Sequence, residues 1–153
     1  MTEITLMWAA VIALGVMIYV VLDGFDLGIG MLFLFQPRIR NRDVMMTSIA
    51  PMWDGNETWM VLGGAGLLAA FPKAYALLLS ALYVPIILML LALVLRGVAF
   101  DLRVKAGDHR KALWNRAFFV GSLVASMAQG WMLGAYVTGL QSNTTSLLFS
   151  ALI

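Results

Sequence analysis

The stretch ITLMWAAVIALGVMIYVVLDGFDLGIG, Ile4–Gly30, decides the fold. Its first 19 residues, Ile4–Leu22, carry no charge. About 20 apolar residues cross a ~30 Å hydrocarbon core as a helix. Asp23 and Asp26 then interrupt a run that stays apolar to Phe35. Three more stretches follow the same pattern: 48–71, which contains Asp54 and Glu57, and the charge-free runs Ala74–Leu95 and Ala117–Leu140. Of all 153 residues, 62% are hydrophobic and 12% charged, and the mean hydropathy is +0.92. A soluble domain holds about 45–50% apolar and about 25% charged residues. Composition therefore excludes a soluble globular domain, a disordered chain and a small secreted disulfide scaffold. No stretch shows the alternation a membrane β-barrel needs. The reading is all-α: an integral membrane four-helix bundle with spans at about 4–35, 48–71, 74–95 and 117–140.

The charge pattern bears on topology. Nine of the ten basic residues fall in 36–43 and 96–116. In an up-and-down chain these two loops share a side, which the positive-inside rule makes cytoplasmic. Both ends of the segment then lie outside. Pro72 and Lys73 mark a tight turn between the second and third spans. Arg38 is the first basic residue, so the chain shows no charged n-region of a signal peptide. After the polar patch 141–146, an apolar run from Leu147 to Ile153 reads as the start of a possible fifth helix. No basic patch is interleaved with aromatics, so no nucleic-acid partner is expected. The absence of cysteine removes thiolate chemistry.

Asp23, Asp26, Asp54 and Glu57 stand inside apolar helices. An ionised acid near a helix centre costs roughly 2.5–3.5 kcal/mol on insertion scales. Asp23/Asp26 and Asp54/Glu57 are i,i+3 pairs, so each pair shares a helix face. Two like acids at low dielectric do not both ionise easily unless a cation is near. Both pairs lie toward the basic side, as a proton or cation path from that side requires. The competing structural reading pairs Asp23 and Asp26 with Arg38 or Arg96. Asp54, flanked by Trp53, Gly55 and Asn56, is the first choice for proton handling. Gly24 and Gly28 form a small-xxx-small pair expected to pack against a neighbouring helix. Ser122, Ser126, Gln129 and Tyr136 make a thin polar stripe expected to face the bundle. His109 is the only histidine and reads as a surface residue, so no histidine pair clasps a haem within the chain. The methionines read as core filler.

These residues also carry a resemblance. Asp23-Gly24-Phe25-Asp26-Leu27-Gly28-Ile29-Gly30 resembles a signature of subunit II of the cytochrome bd quinol oxidases. Ser48-Ile49-Ala50-Pro51 with Trp53-Asp54-Gly55-Asn56-Glu57-Thr58-Trp59 resembles its second signature, and Arg96, Phe100, Asp101 and Arg103 resemble its arginine-rich stretch. The resemblance covers residues 1–153 as the first four-helix half of the family's subunit. The second half is then absent or supplied by a separate chain. It implies a non-haem subunit of a terminal quinol:oxygen oxidoreductase, not catalytic alone, in the inner membrane of a prokaryote. Haem b558, haem b595 and haem d are expected in a partner, subunit I. A structural quinone is a further implied ligand, without an assigned site, and membrane lipid and quinol are the other expected partners. The implied proton pathway uses Asp54, with Glu57, Asp23 and Asp26, and Arg96, Asp101 and Arg103 supply structural ion pairs. Two other readings compete: half of a proton- or cation-coupled transporter, and a purely structural membrane scaffold.

Overall fold

The structure, a computed structural model, describes residues 3–139. Among them it is helical throughout, with α1 Glu3–Leu32, α2 Ile39–Ile49, α3 Trp53–Ala70, α4 Pro72–Ala81, α5 Tyr83–Lys105 and α6 Asp108–Val137. A short 3-10 turn, Phe33–Phe35, follows α1. Three of the described segments are long and apolar enough to cross a membrane: Glu3–Phe35, Tyr83–Lys105 and His109–Val137. The expected fifth-helix start at 147–153 lies outside the described residues.

The all-α membrane bundle stands, and its count of four spans is approximate. The second expected span starts only at Trp53, because Ser48 and Ile49 belong to α2, a short helix in the region read as a loop. Pro51 lies between α2 and α3. The 74–95 run is divided. Proline has no N–H and crowds the carbonyl four residues earlier. Pro85 therefore disrupts the helix at Ala81, where α4 ends, and α5 begins at Tyr83. Phe71 is non-helical (φ −137°, ψ 62°) because the residue before a proline avoids the α region, and Pro72 opens α4. The expected loop 96–116 shrinks to Ala106 and Gly107. Loss of hydropathy is not loss of helix there. Arg103 and Lys105 sit in the last turn of α5, where cations suit the helix dipole.

Helix α1 packs on α3 and α6, and α5 packs on α6. One apolar cluster joins Leu27, Met89, Ala92, Leu93, Ala125 and Ala128 along α1, α5 and α6. A second closes the end where α1 and α5 finish: Phe33, Met46, Ile49, Ala99, Phe100 and Phe118, with Trp53 against it. Its rings meet edge-on or tilted, Phe33 on Phe118 at 5.3 Å and Trp53 on Phe100 at 5.2 Å between centroids. Such pairs add about 0.5–1.5 kcal/mol beyond area burial.

Close approach depends on two glycines. A Cβ at Gly30 would collide with the Ser122 side chain of α6. A Cβ at Gly121 would lie 2.8 Å from the Ala92 carbonyl oxygen and 3.0 Å from the Arg96 nitrogen, both backbone atoms that cannot turn aside. The pair singled out from sequence behaves otherwise: Gly24 and Gly28 face open space. Ser122 is buried and Ser126 and Gln129 are half-buried, but Tyr136 is exposed, so the polar stripe of α6 turns inward only over its first three members. The Gly121→Ala variant should force α5 from α6 and cost about 1–3 kcal/mol, as overpacking does. The thermal midpoint of the detergent-solubilised protein should fall, while Gly24→Ala leaves it unchanged.

Candidate functional site

One face of α1 turns Tyr19, Asp23, Asp26 and Gly30 inward, all buried. From α5 comes Arg96, at 1% exposure among the most buried side chains of the molecule. From the first turns of α3 come Asn56 and Glu57. Arg96 Nη1 donates to Asp23 Oδ1 at 2.8 Å. The same guanidinium stands 3.8 Å from Asp26 Oδ2 and 3.7 Å from Glu57 Oε1. Asn56 Nδ2 donates to Asp26 Oδ2 at 2.8 Å. Four buried polar atoms find no hydrogen-bond partner among the described residues: Asp23 Oδ2, Asp26 Oδ1, Glu57 Oε1 and Arg96 Nη2.

Charge counting gives the cluster its character. Three carboxylates surround one guanidinium. Arg96 balances one of them, Asp23. At low dielectric an unbalanced charge is far costlier than a proton taken up. The surplus acids are therefore places where protons can be held.

A second polar group ties the bundle together nearer its end. Arg103 Nε donates to Asn115 Oδ1 and Nη2 to Asp43 Oδ1, both at 2.7 Å. Its guanidinium also lies over the Phe33 ring, 5.1 Å from the centroid. Arg42 donates from Nε to the Gln36 carbonyl at 2.7 Å. Thus α2, α5 and α6 are tied by side chains around one arginine.

The structure unites three of the four acids singled out from sequence. Asp23, Asp26 and Glu57 share the cluster. Asp54 does not join it: it is exposed on α3. The i,i+3 rule put Asp54 and Glu57 on one helix side, but a side is broad and only Glu57 reaches inward. Of the expected ion-pair residues, Arg96 and Arg103 are paired. Asp101 is exposed and makes no ion pair among the described residues; Asp43 takes Arg103 instead. The acids were also read as open to the basic end of the bundle. The Trp53–Phe100–Phe118 layer lies one turn beyond Arg96 and Glu57, between the cluster and that end. Sequence reasoning passed over Asn56, Tyr19, Asp43 and Asn115 as site residues. Tyr19 stands four residues before Asp23 and was findable by helical spacing. The Asp43–Arg103 contact spans 60 positions and has no local signal.

Against this geometry, the family described as "Cytochrome bd terminal oxidase subunit II" matches residues 4–153. The chain belongs to the cytochrome bd terminal oxidase subunit II family. It is 40% identical over 132 residues to cytochrome bd-I ubiquinol oxidase subunit 2 of Escherichia coli, covering 85% of this chain and 35% of that one. It is 40% identical over 128 residues to cytochrome bd ubiquinol oxidase subunit 2 of Bacillus subtilis, covering 81% and 37%. It is 34% identical over 134 residues to the probable cytochrome oxidase subunit 2 of Haemophilus influenzae, covering 86% and 35%. The chain thus spans about a third of the length of the curated relatives it matches. Membership of this family makes it a multi-pass membrane protein and argues against a separate transporter fold.

The family implies haem, and the residues of this chain can be tested for it. Haem iron takes histidine, methionine, cysteine or tyrosine ligands. His109, the sole histidine, is exposed at the start of α6. The buried cluster offers carboxylates, a guanidinium and amides, with Tyr19 already bonded to Gln129. Among the described residues no group of three or more His, Cys, Asp or Glu side chains is placed to hold a metal ion. The carboxylates, guanidinium and amides of this cluster do not fit a haem site.

Removing the central cation leaves three acids facing one another. Arg96→Met should destabilise the bundle by about 3–5 kcal/mol, the usual cost of breaking a buried pair from one side. Thermal unfolding in detergent should show it. The double variant Arg96→Met/Asp23→Leu should recover part of the loss, because it removes the orphaned charge as well.

Proposed function

We propose that this chain is a non-haem part of a terminal oxidase that oxidises membrane quinol and reduces dioxygen to water. Its role is to brace a haem-bearing subunit I and to hand protons toward it. Haem b558, haem b595 and haem d belong in that partner, and a structural quinone is a further ligand of the complex with no site assigned here. Residues 1–153 act as one transmembrane helical unit, the counterpart of the first half of the family's subunit. The second half, where separate, is another partner. The arginine-rich end, with α2 and the α5–α6 turn, faces the cytoplasm of the inner membrane, and both ends of the segment face outward.

Each electron delivered to dioxygen needs a proton to make water, so acids that hold protons serve this reaction. The observation that carries the reading is a gradient of burial. Asp54 is exposed on α3, Glu57 keeps 22% of its side chain exposed, and Asp23 and Asp26 are 1% exposed. The apolar layer blocks an approach along the bundle axis. A proton therefore arrives sideways across α3, from Asp54 to Glu57 and on to Asp26. Asp23 plays a different part, since its 2.8 Å bond to buried Arg96 favours a structural lock. In this division the scaffold reading holds for Asp23 and Arg96, and the relay reading for Asp54, Glu57 and Asp26.

Asp54→Asn and Glu57→Gln, each made in the complete complex, should slow dioxygen reduction at least about tenfold, a cautious floor for positioned proton-transfer groups. Haem content and subunit composition should stay normal. Normal turnover in an intact complex would dismiss the relay, and loss of assembly with normal turnover in the surviving complexes would make these residues structural.

A further inference from the structure

Arg116 stands where an unpaired cation is costly. It is exposed on α6, and its side chain makes no hydrogen bond or ion pair among the described residues. It lies eight residues past Asp108, about 12 Å along the axis, and roughly 7.5 Å deeper than Lys111. The next residue, Ala117, opens the charge-free run to Leu140. At 30 residues α6 is about 45 Å long, more than the ~30 Å hydrocarbon core takes up. Arg116 therefore falls at the edge of the core, with the charged first turns of α6 beyond it.

Its face of the helix is apolar on both sides. Leu113, Val120, Met127 and Trp131 share that face by helical spacing, and all four are exposed. The other side, with Asn115, Phe118, Ser122 and Ala125, is buried. Phe119, three residues on, is half-buried and meets the exposed Phe35 edge-on, at 6.3 Å between ring centroids. Three residues after Phe35, within about 11 Å of chain, comes Arg38. Its side chain is also exposed and without a partner among the described residues. Two free guanidinium groups thus border an exposed apolar shelf.

We propose that Arg116 binds the phosphate of an anionic phospholipid whose acyl chain lies over Phe35, Phe119 and Val120, with Arg38 at the rim of the site. A guanidinium takes a phosphate with two parallel donors. Its stem lies along apolar surface while its head reaches the interface. A bilayer supplies phosphate at the edge of the core and acyl chain just below it, the order in which Arg116 and Val120 stand. The surroundings choose the headgroup. Arg38, Arg40, Arg110 and Lys111 make this end basic, which favours a net-negative lipid over a zwitterionic one that carries its own cation. None of these residues belongs to the buried acid cluster, so the site stands apart from the proton relay.

The test is photo-crosslinking in the complete complex, stripped of its lipid and reconstituted in phosphatidylcholine vesicles. The probe is phosphatidylglycerol carrying a diazirine in one acyl chain, and mass spectrometry of peptides locates the adducts. Adducts should fall on Phe35 and on the Phe119–Val120 segment. In Arg116→Gln that labelling should drop about fivefold, the loss expected when one cation leaves an anionic lipid surface. Subunit composition should stay the same, because Arg116 holds no other residue in place. Arg110→Gln removes the same charge from another side of α6 and should leave the labelling unchanged. Phosphatidylcholine with the same diazirine should label the segment more weakly. Equal labelling by the two lipids, or undiminished labelling in Arg116→Gln, would overturn the proposal. An equal drop in Arg110→Gln would overturn it in favour of general surface charge. Adducts absent from this face would overturn it in favour of another polypeptide covering α6.

Discussion

The buried bond between Arg96 and Asp23 is the constraint on which the rest of this bundle depends. Each residue stands nine positions before the last residue of its helix, α1 or α5. At 1.5 Å per residue both lie roughly 14 Å from the helix end. The pair thus sets the two helices at one depth. The two helices pack less on each other than on their neighbours, α1 mainly on α3 and α5 mainly on α6, so a long arginine side chain is what bridges them. The bond also permits the acids to be there at all. Three carboxylates without a cation would expel α3 from α1, yet these two helices pack closely enough for a Cβ on Gly63 to press 2.9 Å from Val16.

The two buried arginines show how charge balance separates structure from chemistry. Arg103 has one carboxylate, Asp43, which is half in solvent, and one neutral amide, Asn115. Its charge is balanced by Asp43 and two of its nitrogens donate across helices, so it fastens α2 across the end of the bundle. Arg96 faces three acids and leaves atoms on all of them unpaired among the described residues. The surplus is what a proton-handling site needs. A simple fastening would have been more stable without it.

Much of this was legible in the sequence because one-dimensional signals suffice for it. Long apolar runs declare membrane helices, and i,i+3 spacing put Asp23 and Asp26 on one face. The break at Leu82 was legible in principle from Pro85, but the unbroken hydropathy of 74–95 masks it. Helix α2 was hidden for the opposite reason: its arginines read as loop, although arginine is a good helix former. Cluster membership was the least legible. Whether Asp54 or Glu57 points inward is decided by the rotation of α3 about its axis, and α3 carries only two buried residues, Asn56 and Gly63, to report that rotation. Asp101, two residues from Arg103, was the expected acid beside it, and Asp43 had no local signal. Only the fold of α2 back over the bundle brings Asp43 within reach.

The apolar layer at the arginine-rich end changes what the acids mean. Trp53, Phe100 and Phe118 lie in series with Arg96, one helical turn further along, and Phe33 and Ile49 within the same layer are fully buried. A proton crosses such a layer only at prohibitive cost, since nothing in it accepts a hydrogen bond. The bundle therefore insulates its charged centre along the axis and opens it laterally, where Glu57 reaches the surface of α3. In the proposed relay, Asp23 keeps its Arg96 bond while Glu57 and Asp26 change state. A lateral opening has a further consequence: among the described residues Asp54 is left exposed on the outside of α3. The exposed Asp54 and the partly exposed Glu57 need polar company inside a membrane, and a lipid tail cannot provide it. The face of α3 that bears them is thus the natural place for the proposed partner to pack.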